Sequence, residues 1–218
     1  FTGFGTQIET NMRTRVKFCG FTREPDIQIA VALGVDALGF VLYEKSPRYV
    51  SAERVAQLCA HVPAFVNIVG LFVNSTVPQI TRILSKTPIS TIQLHGDESW
   101  NFALNVKKIM QRPVIKAVRV NPQTDWDEVA HYLDQLSGVL LDADSSVYGG
   151  SGDGFDWGHI PSELRGKIIL SGGLSVDNVK NAIDTVAPYA VDVSSGIELS
   201  KGVKDAEKMR LFLERVRG

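Results

Sequence analysis

Eight short apolar, β-branched segments recur along the chain at a spacing of about 25 residues, and this repeat narrows the available folds more than any other feature. They are 16–19, 37–42, 67–73, 91–94, 114–118, 139–141, 168–170 and 190–193. Between them run stretches with apolar residues at helical spacing, such as Val55, Leu58, Cys59 and Val62, or Met209, Phe212, Leu213 and Val216. Near-continuous apolar strands alternating with amphipathic helices predict a parallel sheet covered on both sides. Eight such units predict an α/β fold closed on itself, a single (β/α)8 barrel with a parallel eight-stranded core. At 218 residues the chain lies near the lower end of that fold's range, so connections should be short. Ser51 and Ser175 are read as helix N-caps, 124–134 as a short helix, and 143–156 as a glycine-rich loop.

Composition removes several classes of partner. With 23 basic residues against 24 acidic, the chain offers no field that would gather nucleic acid. No apolar run approaches the roughly 18 to 20 residues that a bilayer span needs. Two cysteines, Cys19 and Cys59, make neither a disulfide framework nor a zinc ribbon, and a reduced cytoplasmic protein is expected. Residues 1–11 lack periodicity and are read as a cloning remnant, a disordered extension or the trace of a preceding domain, with the barrel domain running over 12–218. A monomer is expected.

In this architecture chemistry gathers at the C-terminal ends of the strands. There the sequence places Cys19, Arg48 after the second strand, His95 after the fourth, Asp142 after the sixth, and Asp192 in the eighth. Strands seven and eight run into Gly172-Gly173 and Ser194-Ser195-Gly196, where backbone N–H groups can approach an anion; a phosphate site is expected. Each residue also has a plain structural reading. Cys19 could be a small buried hydrophobe, Asp142 a loop cap, Arg48 a solvated loop residue and His95 a hydrogen-bonding loop support. Asp192 could bind a ribose hydroxyl, hold catalytic groups, or satisfy donors inside the barrel. Gly149 to Gly152 suits either a lid or simple disorder, whereas Cys59, Trp100, Trp126 and Trp157 are read as packing residues.

Taken in order, these motifs resemble one family. Lys17-Phe18-Cys19-Gly20, Ser46-Pro47-Arg48-Tyr49-Val50, Gln93-Leu94-His95-Gly96, Leu140-Leu141-Asp142, Gly149-Gly150-Ser151-Gly152, Leu170-Ser171-Gly172-Gly173 and Asp192-Val193-Ser194-Ser195-Gly196 look like the phosphoribosylanthranilate isomerases of tryptophan biosynthesis. The resemblance spans residues 15 to about 216. Phe18 and Phe21 stand where the family more often has aliphatic residues.

The resemblance implies an Amadori rearrangement of a phosphoribosyl aminoaldose to an aminoketose, with no cofactor and no metal. Asp142 would be the general acid and Cys19 the general base. Arg48 would meet the anthranilate carboxylate, a match of guanidinium fork to planar anion. His95 and Asp192 would complete the substrate pocket, and Gly172, Gly173, Ser194, Ser195 and Gly196 the phosphate site. Two other readings stay open at this level. One is another phosphosugar barrel, an indole-glycerol-phosphate synthase or an epimerase; the other is a non-catalytic phosphate-binding module. The synthase would need a lysine and glutamate set, and a metal-using epimerase paired His and Asp ligands; His61, His131 and His159 suggest no such pairing.

Overall fold

The computed structural model describes residues 13–143 and 157–218. The readings for residues 1–11 and for the Gly149–Gly152 loop lie outside the described residues.

Eight parallel strands close into a barrel in sequence order. They are β1 (Arg15–Cys19), β2 (Ala37–Val41), β3 (Asn67–Phe72), β4 (Thr91–Leu94), β5 (Val114–Arg119), β6 (Gly138–Asp142), β7 (Ile169–Ser171) and β8 (Ala190–Val193). Closure comes from β1 pairing with β8, with Lys17 opposite Asp192 and Phe18 opposite Val193. The helices are α1 (Glu24–Ala32), α2 (Ala52–Leu58), α3 (Val77–Leu84), α4 (Trp100–Met110), α5 (Trp126–Leu133), α6 (Val179–Val186) and α7 (Ala206–Arg217). Among the described residues, the β6–β7 connection carries only two 3-10 turns, Trp157–His159 and Ser162–Leu164. A short antiparallel hairpin, β9 (Glu198–Ser200) with β10 (Val203–Lys204), follows β8 and was not foreseen from the sequence. No helix among the described residues is long and apolar enough to cross a membrane.

Successive strand residues point to opposite faces, and the two faces differ in chemistry. Val16, Phe18, Leu38, Phe40, Ile92, Leu94, Val139 and Leu141 belong to the large buried core that the strands share with the helices. Ile115, Ala117, Leu140, Ile169 and Ala190 form a second, smaller cluster. These five alternate with members of the large core along their strands and so fill the barrel interior. Lys17, Gln93 and Asp192 lie on that same inner face nearer the strands' C-terminal ends, and all three are buried.

Side-chain caps fix most helix starts. Ser51 accepts from the Arg54 N–H as expected, and Ser99, Asp125 and Asp205 cap α4, α5 and α7 in the same manner. Thr76 and Gln79 form a reciprocal capping box on α3. Ser175 is a correction: α6 begins at Val179, not beside Ser175. The side chain of Asn178 accepts from the Ser175 N–H at 2.8 Å and donates to the Gly173 carbonyl at 2.8 Å. That use of Asn178 holds 175–178 as a turn and ties it to the loop after β7.

Phe18, on the outer face of β1, meets Phe212 of α7 edge to face at 6.0 Å between ring centres. Both rings are fully buried, so this contact joins the first strand to the last helix. Phe18→Ala should lower stability by about 3–5 kcal/mol. Urea unfolding should show a lower midpoint at an unchanged slope.

Candidate active site

A cavity of about 550 Å³ opens at the C-terminal ends of the strands. Cys19, Arg48, His95, Asp142, Gly172, Gly173, Asp192, Ser194 and Ser195 all line it. The structure therefore brings together the residues singled out from sequence, apart from Gly196, which lies behind the lining against Leu174 and Ser175.

Cys19 ends β1 and is buried. Lys17 stands two residues earlier on the same inner face, and its Nζ donates to both carboxylate oxygens of Asp192, at 2.9 and 2.8 Å. Burial opposes the Lys17 charge, yet Asp192 and Cys19 together hold it above the usual lysine range. For Cys19 burial is the strongest influence and pushes the thiol up; Lys17 pulls it down, Asp192 pushes it up, and Lys204 pulls it down more weakly. The resting group is accordingly a thiol with an ammonium in place to receive negative charge.

Arg48 reaches the cavity from the loop after β2. Its Nε and Nη2 donate to the two oxygens of Glu198, at 2.8 and 2.6 Å. This engages one edge of the guanidinium and leaves the Nη1 edge for another anion. Glu198 also accepts from Lys204 Nζ at 2.9 Å, and Lys204 donates in turn to the carbonyls of Cys19 and Ser194. Burial resists the charge of Glu198, but Arg48 and Lys204 outweigh it and hold the carboxyl below the usual range. Burial lowers Lys204 in spite of Glu198.

Across the mouth, His95 connects β4 to β6. Its Nε2 lies 3.1 Å from Asp142 Oδ2, and its Nδ1 lies 2.9 Å from Gln93 Nε2.

Two close approaches shape the glycine loops. Gly172 has φ +88°, and a Cβ there would lie 2.6 Å from the Ala143 backbone. A Cβ on Gly196 would lie 2.0 Å from the Leu174 carbonyl oxygen. Only residues without side chains let the loops after β6, β7 and β8 pack this closely around one end of the cavity. Ser194 donates its hydroxyl to the Cys19 carbonyl at 3.0 Å, which leaves Ser195 as the hydroxyl donor of that loop.

Four residues escaped the sequence reading. Lys17 and Gln93 carry a usable signal, since each precedes a rim residue by two and therefore shares its face. Glu198 and Lys204 carry no periodic signal, because the hairpin that delivers them follows β8 outside the βα repeat.

The depressed Glu198 carboxyl has a thermodynamic consequence. Its stabilisation is fully present above the unfolded glutamate value near pH 4.3 and fades as pH falls through its lower folded value. Glu198→Gln should cost about 3–5 kcal/mol at neutral pH by stripping charge from a buried network. Denaturant unfolding of both proteins should show that gap closing below about pH 4.3.

Residues 16–215 match the family described as N-(5'-phosphoribosyl)anthranilate (PRA) isomerase. The N-(5'-phosphoribosyl)anthranilate isomerase of Dechloromonas aromatica is 48% identical over 207 residues, covering 94% of this chain and 97% of that protein. The crystal structure of phosphoribosyl anthranilate isomerase from Thermotoga maritima superposes with a TM-score of 0.84 at 39% identity, covering 94% of this chain and 99% of the other. A structure of the enzyme in complex with reduced 1-(o-carboxyphenylamino)-1-deoxyribulose 5-phosphate gives a TM-score of 0.80 at 36% identity, with coverages of 94% and 99%. With its closed barrel, its thiol and carboxyl at one mouth and this match over nearly its whole length, the chain belongs to the phosphoribosylanthranilate isomerase family.

Proposed function

We propose that the cavity converts N-(5'-phosphoribosyl)anthranilate to 1-(2-carboxyphenylamino)-1-deoxyribulose 5-phosphate, with Asp142 as general acid and Cys19 as general base. The observation that carries these roles is that Cys19 from β1 and Asp142 from β6 open into one cavity beside the glycine loops of β7 and β8.

The substrate phosphate lies against Gly172, Gly173, Ser194 and Ser195, with Gly196 shaping the loop behind them, and the anthranilate carboxylate against the Nη1 edge of Arg48. Asp142 gives its proton to the ribose ring oxygen. The C1'–O bond breaks with its electron pair going to that oxygen, while the anilino nitrogen lone pair forms the C=N bond of a Schiff base. Cys19, as thiolate, takes the proton from C2'. The electron pair left behind forms C1'=C2', and nitrogen recovers its lone pair as the enolamine. Loss of the enol O–H proton and protonation at C1' then give the ketone. Oxidation at C2' is balanced by reduction at C1', so the reaction needs no external electron carrier.

Acid and base must both be loaded before chemistry begins. Transfer of the Cys19 proton to Asp142, through the substrate, loads both in one exchange without changing the net charge of the site. Lys17 supports the thiolate so formed, Asp192 holds Lys17, and His95 orients Asp142. One chain supplies all these groups, so the chemistry is assigned to a monomer. We place the protein in the cytoplasm, where a catalytic thiol stays reduced. The other phosphosugar barrels are not favoured, since the family match over 16–215 is to the isomerase.

The decay of phosphoribosylanthranilate fluorescence tests the roles. Cys19→Ala and Asp142→Asn should each lower kcat by about 10²–10⁴-fold while circular dichroism stays unchanged. Near-normal turnover in either variant would remove that residue from the mechanism. Arg48→Ala should weaken binding of the reduced product analogue by about ten- to a hundredfold, reflecting a lost charge-assisted pair. Unchanged affinity would reassign the carboxylate.

A further inference from the structure

The inner face of β4 carries a polar group that the reaction scheme leaves unused. Gln93 is fully buried, and its Oε1 has no hydrogen-bond partner among the described residues. The amide nitrogen points the other way, to His95 Nδ1 at 2.9 Å.

That contact fixes a proton. An NH₂ group facing Nδ1 requires Nδ1 to accept, so the neutral imidazole carries its hydrogen on Nε2 and donates it to Asp142 Oδ2 at 3.1 Å. With Oδ2 occupied as an acceptor, a proton on Asp142 sits on Oδ1. When that proton leaves, the His95 bond stabilises the carboxylate that remains. The opposite amide orientation would put the imidazole hydrogen on Nδ1. Nε2 would then compete for the acid proton and draw it toward His95, away from the substrate.

We infer that Gln93 is a positioning residue: through the Gln93–His95–Asp142 chain its amide sets the tautomer of His95, and thereby keeps the acid proton of Asp142 on Oδ1, the oxygen that His95 does not hold. This rests on Asp142 being the general acid.

The test joins a spectrum to kinetics. In wild-type protein labelled with 15N-histidine, His95 should be the Nε2–H tautomer, both free and with the reduced product analogue bound. Gln93→Glu places an acceptor on both oxygens and should move His95 to a form protonated at Nδ1, lowering kcat by about 10²-fold or more, as expected for a misprotonated orienting histidine. Gln93→Met removes both functions and should give mixed tautomers, with kcat down about tenfold and KM within about twofold. An Nδ1–H tautomer in the wild type overturns the inference without any variant needing to fold. So does wild-type kcat in folded Gln93→Glu. If Asp142→Asn is inactive while both Gln93 variants keep full turnover, only this inference fails; if Asp142→Asn itself turns over, the assignment of the acid fails.

Discussion

The buried pair of Lys17 and Asp192 is the constraint on which the rest of the site depends. It joins the two strands that close the barrel, in register with the backbone ladder between β1 and β8. Burying two charges is costly, and the cost is offset here because one ammonium meets both oxygens of one carboxylate at hydrogen-bond distance. An apolar pair would hold the seam as well or better. The charged pair does something apolar residues cannot: it keeps an ammonium beneath a thiol whose own burial disfavours ionisation.

A second charged layer lies above the first. Glu198 stands between Arg48 and Lys204, and Lys204 reaches the backbone carbonyl of Cys19. The thiol is thus framed by cations on two sides, Lys17 paired with Asp192 below and Arg48 and Lys204 sharing Glu198 above. These five groups leave positive charge in excess around the thiol, which favours its ionised form.

Much of the barrel was legible because its strands are so uniformly apolar and its helices so regularly striped. The rim residues were legible for a related reason: Cys19, His95 and Asp142 interrupt apolar runs where strands end. Ser175 misled because two residues competed to organise the start of α6, and Asn178 was taken up by the Gly173 carbonyl. Lys17 and Gln93 were present in the motifs but were passed over, since a polar residue inside an apolar strand gains meaning only once its strand's inner face is known. Glu198 and Lys204 depend on a hairpin built from non-repeating sequence, and no periodic signal could have placed them beside Cys19.

The joining of first strand to last helix also bears on how the molecule comes into being. Phe18 is covered by Phe212, Lys17 is neutralised by Asp192, and the carbonyl of Cys19 is bound by Lys204. Every one of these partners is synthesised near the end of the chain. During translation β1 emerges early and waits, with its apolar face and its thiol uncovered, for nearly the whole sequence to follow. Contacts this distant make closure a late and slow event. Cys19, the proposed base, therefore lies in the first strand of the barrel to be made, and its environment is among the last parts of the barrel to form.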